Sequence, residues 1–269
     1  FLRASVATSA VLLLFALRRL LRHATVEAVT PTTEELARAG RIAASVPDTE
    51  SYLALLGDKT LLFVNGDAGG VPRGDVSAEG FVQYAVAGRS WVALGDPVAS
   101  GGGSPACNRV RAELAWRFKE QAHRHGGWPV FYEASPEVLP LYIDLGLTFL
   151  KLGEQARVDL EAFSLEGSRR KELRREIREI EGNGGRFEVL PPERVHEVMP
   201  ALRAVSDNWI VRKHVREKGF SLGYFDEQYL LNFPVALVLV PRGEASSPET
   251  GSGASAPAPR AFPQSRRPG

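Results

Sequence analysis

Between Asp48 and Phe163 the chain runs through three short apolar stretches, one long four-residue periodicity and a further apolar stretch, and this order constrains the fold more than any other feature. TLLFVN (Thr60–Asn65), FVQYAV (Phe81–Val86) and SWVAL (Ser90–Leu94) are short and rich in β-branched and aromatic residues, so they read as a β-meander. The last of them ends at the turn Gly95–Pro97. Val110, Leu114, Phe118 and Ala122 then recur every fourth residue, which predicts a helix from Arg109 to about His125. Asn108 is placed to cap this helix, and Gly126 and Gly127 to end it. WPVFYEA (Trp128–Ala134) reads as a buried strand, Pro136 opens a helix through Leu145, and Thr148–Leu152 and Ala156–Leu160 read as closing strands. The fold class that follows is α+β.

Ser168–Gly185 reads as a charged helix with an apolar stripe at Leu173, Ile177 and Ile180. A strand at Phe187–Leu190, helices at Glu193–Met199 and Pro200–Lys218, a loop or short strand at Gly219–Phe225, a short helix at Asp226–Phe233 and a core strand at Val235–Val240 complete a second lobe. Pro241–Gly269 is dominated by Gly, Ala, Ser and Pro without apolar periodicity and is expected to be disordered. The change comes straight after a core strand, which predicts a second lobe cut short; an ordinary tail after a complete small lobe is the alternative. At the other end, Ala4–Leu17 carries no charge over 14 residues and is followed by Arg18, Arg19 and Arg22. A spanning helix needs roughly 20 residues, so this stretch reads as the end of a membrane helix with its cytoplasmic flank, or as an interfacial or buried apolar helix. The expected organisation is a membrane segment (1–23), a linker with a short helix at Thr33–Ala44 (24–47), a first lobe (48–163), a partial second lobe (164–240) and a tail (241–269). The loop Gly66–Gly80 is long and is expected to be mobile.

The formal charge is +1, which argues against a generic polyanion binder and makes any basic surface local. The single cysteine, Cys107, excludes an intramolecular disulfide and a cysteine-based zinc cluster, and fits a reducing compartment. No nucleophile elbow, zinc-binding helix motif or P-loop is present. His123 and His125 close a helix, where a cation suits the dipole. Gly95–Asn108 lies between a strand and a helix N-terminus and reads as a flexible loop or, with less specific glycine spacing, a phosphate cradle. Arg169–Arg178 carries six basic and two acidic residues, a local charge of +4. That face could follow a phosphate backbone, or be a solvated face of Glu–Arg pairs. Asn208–Leu230 gathers Arg212, Lys213, Arg216, Glu217, Lys218, Asp226 and Glu227 around aromatic residues and a Gly-rich turn, a place to bind a charged substrate or simply a solvated surface.

The segments LLGDKTLLFVN, GRSWVALGDPV, ELAWRFKE, GGWPVFYEASPEVLPLYIDLGLTFLKLGEQARVDLEAFSLEGSRRKELR and EKGFSLGYFDEQYL occur in this order between Ser51 and Val240. Together they resemble the cytoplasmic C-terminal domain of bacterial phosphatidylglycerol lysyltransferases, also called multiple peptide resistance factors. The resemblance implies tandem acetyltransferase-like (GNAT) lobes, the second incomplete, preceded by a membrane helix. The basic helix is also similar to the start of a lobe in the Fem aminoacyl transferases. The implied activity is transfer of a lysyl or alanyl group from aminoacyl-tRNA to a glycerol hydroxyl of phosphatidylglycerol, at the bacterial cell membrane with the globular part cytoplasmic. The ester is already activated, so no covalent enzyme intermediate, cofactor or metal is implied; the protein positions substrates and stabilises charge.

On this reading Asp226 and Glu217 hold the substrate ammonium, and Arg212 and Lys218 hold phosphate or the tRNA end. Arg169, Arg170, Arg174 and Arg178 contact tRNA, and Lys59 and Asp96 shape turns of the first lobe. Pro241–Gly269 departs from the family pattern, which predicts an incomplete donor pocket and weak or absent transfer by this chain. The competing expectations are a CoA-dependent N-acyltransferase using the Gly-rich loop before Arg109, and a membrane-tethered remnant that binds tRNA or anionic lipid without turnover.

Overall fold

A computed structural model describes residue 13 and residues 29–64, 78–214, 217 and 219–241. The expected membrane segment apart from Leu13, most of the Gly66–Gly80 loop and the tail beyond Pro241 lie outside the described residues. The chain forms two compact units, residues 1–156 with 190–235 and residues 157–189 with 236–269.

In the first unit, α1 (Thr33–Ala43) starts at a reciprocal cap. The Glu35 amide donates to Thr32 Oγ1 at 3.2 Å and the Thr32 amide donates to Glu35 Oε2 at 2.8 Å, so two otherwise unpaired donors are satisfied. A 3₁₀ segment (Glu50–Leu56) leads into β1 (Thr60–Val64), β2 (Gly80–Ala87), β3 (Ser90–Leu94) and the two-residue β4 (Val98–Ala99). Helix α2 (Pro105–Arg124) crosses back to β5 (Trp128–Tyr132). The sheet order is β1-β2-β3-β5, with β4 beside the start of β2; β1–β2 and β2–β3 are antiparallel and β3–β5 is parallel. The meander, helix and following strand are therefore as the sequence predicts.

Pairing of Tyr84 with Ala93 and of Ala93 with Phe131 puts these residues on one face of the sheet, under α2. Val110, Leu114, Phe118 and Ala122 are all buried there, as their spacing requires. Trp91 is the largest fully buried side chain; its ring lies 5.3 Å from Tyr84, 5.2 Å from His125 and 6.4 Å from Phe118. The opposite face carries Phe81, Leu61 and Phe63 against Ala39 and Ile42 of α1 and Ala54 of the 3₁₀ segment. Gly80 has a steric reason: a Cβ there would stand 2.5 Å from the Val98 carbonyl oxygen and 2.8 Å from Leu114 Cδ1.

Five expectations are corrected in these elements. Ser104, not Asn108, caps α2, its hydroxyl accepting from the Cys107 amide at 3.2 Å, because Pro105 supplies the fixed φ of a first helical residue. Strand β5 is not buried throughout: Trp128 is 58% and Val130 40% exposed, because β5 pairs only with β3 among the described residues. Thr148–Leu152 and Ala156–Leu160 are not strands. Their alternation is genuine, but a period of two makes a strand only where a neighbour supplies hydrogen bonds and packing. Glu193–Met199 and Pro200–Lys218 are one helix, α5 (Pro192–Lys213), with Pro200 inside it; Val195 and Met199 are buried on either turn and hold it through the lost bond. The predicted helix from Pro136 is a 3₁₀ turn (Pro136–Val138) followed by α3 (Leu139–Asp144).

In the second unit, a 3₁₀ turn (Ser168–Arg170) runs into α4 (Lys171–Gly182), and β6 (Arg186–Leu190) pairs with β7 (Val235–Leu239). Strand β7 alternates exposed and half-buried residues, so it is not the core strand its apolar run suggests.

Asp96 confirms its expected role in shaping a turn. Its carboxylate accepts the Ser135 amide at 3.2 Å, the Ser135 hydroxyl, and the Tyr142 hydroxyl at 2.7 Å, tying the end of β3 to the segment entering α3. Burial pushes the Tyr142 hydroxyl up from its ordinary value, and the charge of Asp96 and the hydrogen bond to it add to this against the Arg111 guanidinium. The folded state thus keeps a proton that the unfolded chain loses near pH 10. Stability from this group is complete below that pH and falls above it by up to about 1.4 kcal/mol per pH unit. Urea titrations at pH 9–11 should show a fall of this sign, and Tyr142→Phe should reduce it, the raised hydroxyls of Tyr84, Tyr224 and Tyr229 supplying the rest.

Candidate functional site

Helix α5 ends at His214, whose left-handed backbone (φ 50°) turns the chain back. A tight turn closed by a bridge between Gly219 and Gly223 then carries Phe220 and Tyr224 to the start of β1. The Phe220 ring lies 6.3 Å from the Tyr132 ring, and Lys59 Nζ lies 5.9 Å from the Phe220 ring. Tyr224 donates its hydroxyl to the Leu56 carbonyl at 3.4 Å. The short helix α6 (Glu227–Leu230) follows, and Phe233 beyond it packs edge-on against Tyr52 at 5.3 Å.

Asp226 and Glu217 are brought together by this return. Asp226 caps α6, accepting the Tyr229 amide at 2.7 Å, and Glu217 accepts the Phe225 amide at 2.8 Å. Partial burial pushes the Tyr224 hydroxyl up, and the negative charges of Asp58, Asp226 and Glu217 push it further. Three carboxylates therefore act on one phenol. Among the described residues the cation that meets this group is Lys59, whose side chain is 0% exposed and whose ammonium donates to Asp58 Oδ1 at 2.7 Å and to the Leu53 carbonyl at 3.4 Å. Lys59 thus pins the 3₁₀ segment, which is more than the turn-shaping part its sequence context suggests. Among the described residues the charge left over is negative, and Phe220, Tyr132 and Tyr224 lie around it. Such a place favours a primary ammonium ion.

The other named residues are placed as follows. Arg212 is exposed in the last turn of α5, and Lys218 lies outside the described residues. Arg203 of α5 donates to Glu227 Oε1 at 3.0 Å and stacks over the Phe225 ring at 4.6 Å, fastening α6 to α5. In the second unit Arg170 lies over the Phe163 ring at 5.0 Å, and Arg174 donates to the Leu165 carbonyl and, at 2.9 Å, to the Gly167 carbonyl. Arg178 donates back to the Arg174 carbonyl at 3.1 Å, while Arg169 is exposed. Cys107 is buried, its thiol against the Ala99 carbonyl at 3.5 Å. Among the described residues no three His, Cys, Asp or Glu side chains converge as metal ligands. No helix among them is long and apolar enough to cross a membrane.

Sequence reasoning missed Tyr224, the Asp58–Lys59 pair and Gln83. Gln83 had a visible signal, a polar residue in the middle of the otherwise apolar strand FVQYAV.

The family model described as "Phosphatidylglycerol lysyltransferase, C-terminal" matches residues 40–247. The chain belongs to the phosphatidylglycerol lysyltransferase C-terminal family. Within this family it is 32% identical over 194 residues to the phosphatidylglycerol lysyltransferase of Bacillus subtilis (strain 168), an overlap covering 72% of this chain and 20% of the relative. It is 31% identical over 200 residues to the phosphatidylglycerol lysyltransferase of Staphylococcus aureus (strain MRSA252), covering 74% and 22%. The chain thus spans about a fifth of the length of these relatives. Among solved structures, L-PGS from Bacillus licheniformis superposes with a TM-score of 0.66 at 33% identity, covering 82% of this chain and 63% of that one. The C-terminal domain of a lysylphosphatidylglycerol synthetase from Agrobacterium fabrum gives the same TM-score at 34% identity, covering 77% and 60%.

Proposed function

We propose that this chain belongs to an aminoacyltransferase that moves a lysyl or alanyl group from aminoacyl-tRNA to a glycerol hydroxyl of phosphatidylglycerol. The observation that carries this reading is the acidic group around Tyr224, found in a chain of this family. An aminoacyl ester always carries an α-ammonium, and Asp226 and Glu217 hold it. The lipid hydroxyl attacks the ester carbonyl, the C–O bond to the tRNA ribose breaks, and the ribose oxygen leaves with the proton. The protein's contribution is orientation and charge stabilisation. Arg212 and Lys218 serve a phosphate or the tRNA end. The exposed basic face of the 3₁₀ turn and α4, with Arg169, Arg170, Arg174 and Arg178, serves the tRNA backbone.

The fold reading that accompanies this is a pair of acetyltransferase-like lobes. Its support is the antiparallel meander, the crossing helix and the parallel β3–β5 pair of the first unit. The uncharged stretch Ala4–Leu17 followed by arginines supports a membrane anchor that keeps the domain at the cytoplasmic leaflet, where both substrates are available.

The test is the double variant Asp226→Asn with Glu217→Gln. Asparagine caps a helix as well as aspartate does, and glutamine still accepts the Phe225 amide, so the melting temperature should hold. Binding of norleucinamide, which mimics an aminoacyl ester with its α-ammonium, should weaken about 30-fold by calorimetry, since a hydrogen bond to a charged group contributes about 1.5–3 kcal/mol. Formation of labelled aminoacyl-phosphatidylglycerol from charged tRNA should fall with it. Unchanged binding in a folded double variant would refute the assignment.

A further inference from the structure

Ser51, Lys59 and Gln83 are the buried polar or charged residues among the described ones, and of these Lys59 alone carries a charge. Ser51 donates to the Asp48 carbonyl at 2.7 Å, and Gln83 donates its Nε2 to the Glu50 carbonyl at 3.0 Å with its Oε1 left unfilled. A neutral side chain settles with one backbone bond. An ammonium is costlier to take out of water, and an apolar side chain of similar length would fill the same space without that cost. A buried ion pair is therefore weak evidence of a part in stability. The charge of Lys59 calls for a task that an apolar residue could not perform.

Its surroundings supply one. The carboxylate that Lys59 holds at 2.7 Å belongs to Asp58, whose side chain is 26% exposed. Asp58 follows the left-handed Gly57 that ends the 3₁₀ segment, and Leu56, just before that glycine, accepts the Tyr224 hydroxyl at 3.4 Å. Gly223 backs onto the same segment: a Cβ there would stand 3.4 Å from Leu56 Cδ1 and 3.5 Å from Leu53 Cδ2. The return turn and the residues before β1 are thus in contact, which brings Asp58 to the group formed by Tyr224, Asp226 and Glu217. The Phe220 ring lies 5.9 Å from the ammonium, so the cation faces a carboxylate, a carbonyl and a ring instead of solvent.

We propose that Lys59 is a positioning residue for the ammonium site: by holding and neutralising Asp58 it leaves Asp226 and Glu217 as the carboxylates that take the cation. This inference rests on the aminoacyl-transfer reading above. With Asp58 free, three carboxylates would pull on one ammonium, and charge alone would decide where it sits. With Asp58 occupied, the pull comes from two carboxylates that are already oriented, Glu217 by the Phe225 amide and Asp226 by the Tyr229 amide. Tighter holding of the α-ammonium throughout the reaction would not speed transfer, whereas correct placement of the ester would.

Two substitutions of opposite sign test it. Lys59→Met is close in length and removes the cation, so norleucinamide should bind about threefold more tightly by calorimetry, one further negative charge acting on its ammonium. Asp58→Asn leaves Lys59 an oxygen to bond but no counter-charge, so binding should weaken about threefold. The double variant should cancel the two shifts. A merely structural Lys59 gives the other sign, since loosening the site weakens binding. Isotope-labelled tyrosine supplies a reading without ligand: the Tyr224 hydroxyl, assigned by its loss in Tyr224→Phe, should ionise at higher pH in Lys59→Met and at lower pH in Asp58→Asn. Melting curves establish which variants fold, and the part-exposed Asp58 keeps the test open if Lys59→Met does not. Unchanged or weaker binding in folded Lys59→Met, an unmoved Tyr224 titration in either variant, or weak binding that persists in the double variant would overturn the proposal; the last would make Asp58 itself a ligand of the ammonium. Failure of the aminoacyl reading is seen separately, as norleucinamide binding that is absent or ignores Asp226→Asn with Glu217→Gln, and the Tyr224 titration then decides the part of Lys59 by itself.

Discussion

Trp91→Ala should lower the unfolding free energy of the first unit by about 3–5 kcal/mol. Trp91 is 1% exposed and is the second residue of β3, packed against Tyr84 on the next strand, Phe118 on α2 and His125 at its C-terminal end. Removing the indole deletes the contacts of three rings at once and leaves a cavity that a sheet and a twenty-residue helix cannot close by small shifts. The backbone at Gly127 lies directly against the indole, since a Cβ there would stand 2.5 Å from Trp91 Cδ1. A domain of ordinary stability has about 5–15 kcal/mol in total, so the loss is a large part of it. Urea unfolding followed by far-UV circular dichroism should show a lowered midpoint with an unchanged slope. Trp116→Ala is the control: at 52% exposure this tryptophan should cost about 1 kcal/mol or less.

Asp96→Ala should cost about 3 kcal/mol or more, through a different mechanism. The carboxylate receives the Ser135 amide, the Ser135 hydroxyl and the Tyr142 hydroxyl. Alanine strands these donors, one of them on a tyrosine that is 1% exposed, and a buried donor without an acceptor costs about 1–3 kcal/mol. Asp96→Asn keeps one oxygen for Tyr142 and removes the charge, so it should cost roughly half as much. Equal losses for the two substitutions would show that the charge, and not the hydrogen-bond count, holds this corner. Because the network joins the end of β3 to the segment after β5, hydrogen exchange in Ser135–Asp144 should quicken in Asp96→Ala before it does in β1–β2.

Much of the first unit was readable from local pattern. Helix α2 is set by the spacing of Val110, Leu114, Phe118 and Ala122, and the meander by short apolar runs separated by turns. Where the pattern misled, the deciding contact was remote. Leu150, Leu152, Val158 and Leu160 alternate like a strand and are exposed, because no described strand pairs with them. Pro200 looked like a helix start and sits inside α5, because burial of Val195 and Met199 carries the helix past one missing hydrogen bond. For the site, the residue types around Asp226 and Glu217 drew attention to themselves as charges converging on a Gly-rich turn. Their neighbours did not: Leu56 and Tyr224 are 168 positions apart, and Lys59 meets Phe220 across a similar gap.

The sequence by itself determined the elements whose signal repeats within one turn or one pleat, the family to which the chain belongs, and the acidic and basic residues available for charged substrates. The tertiary structure alone decided that Asp58, Glu217 and Asp226 act on one tyrosine, that Lys59 is enclosed beneath Phe220, and that Gln83 faces inward with an acceptor unfilled. The physical reason is one of range. Periodicity records which face of an element is buried, because burial acts on every residue of that face. A hydrogen bond or ion pair across a site acts on two side chains brought together by the whole fold, and leaves no repeat along the chain to be read.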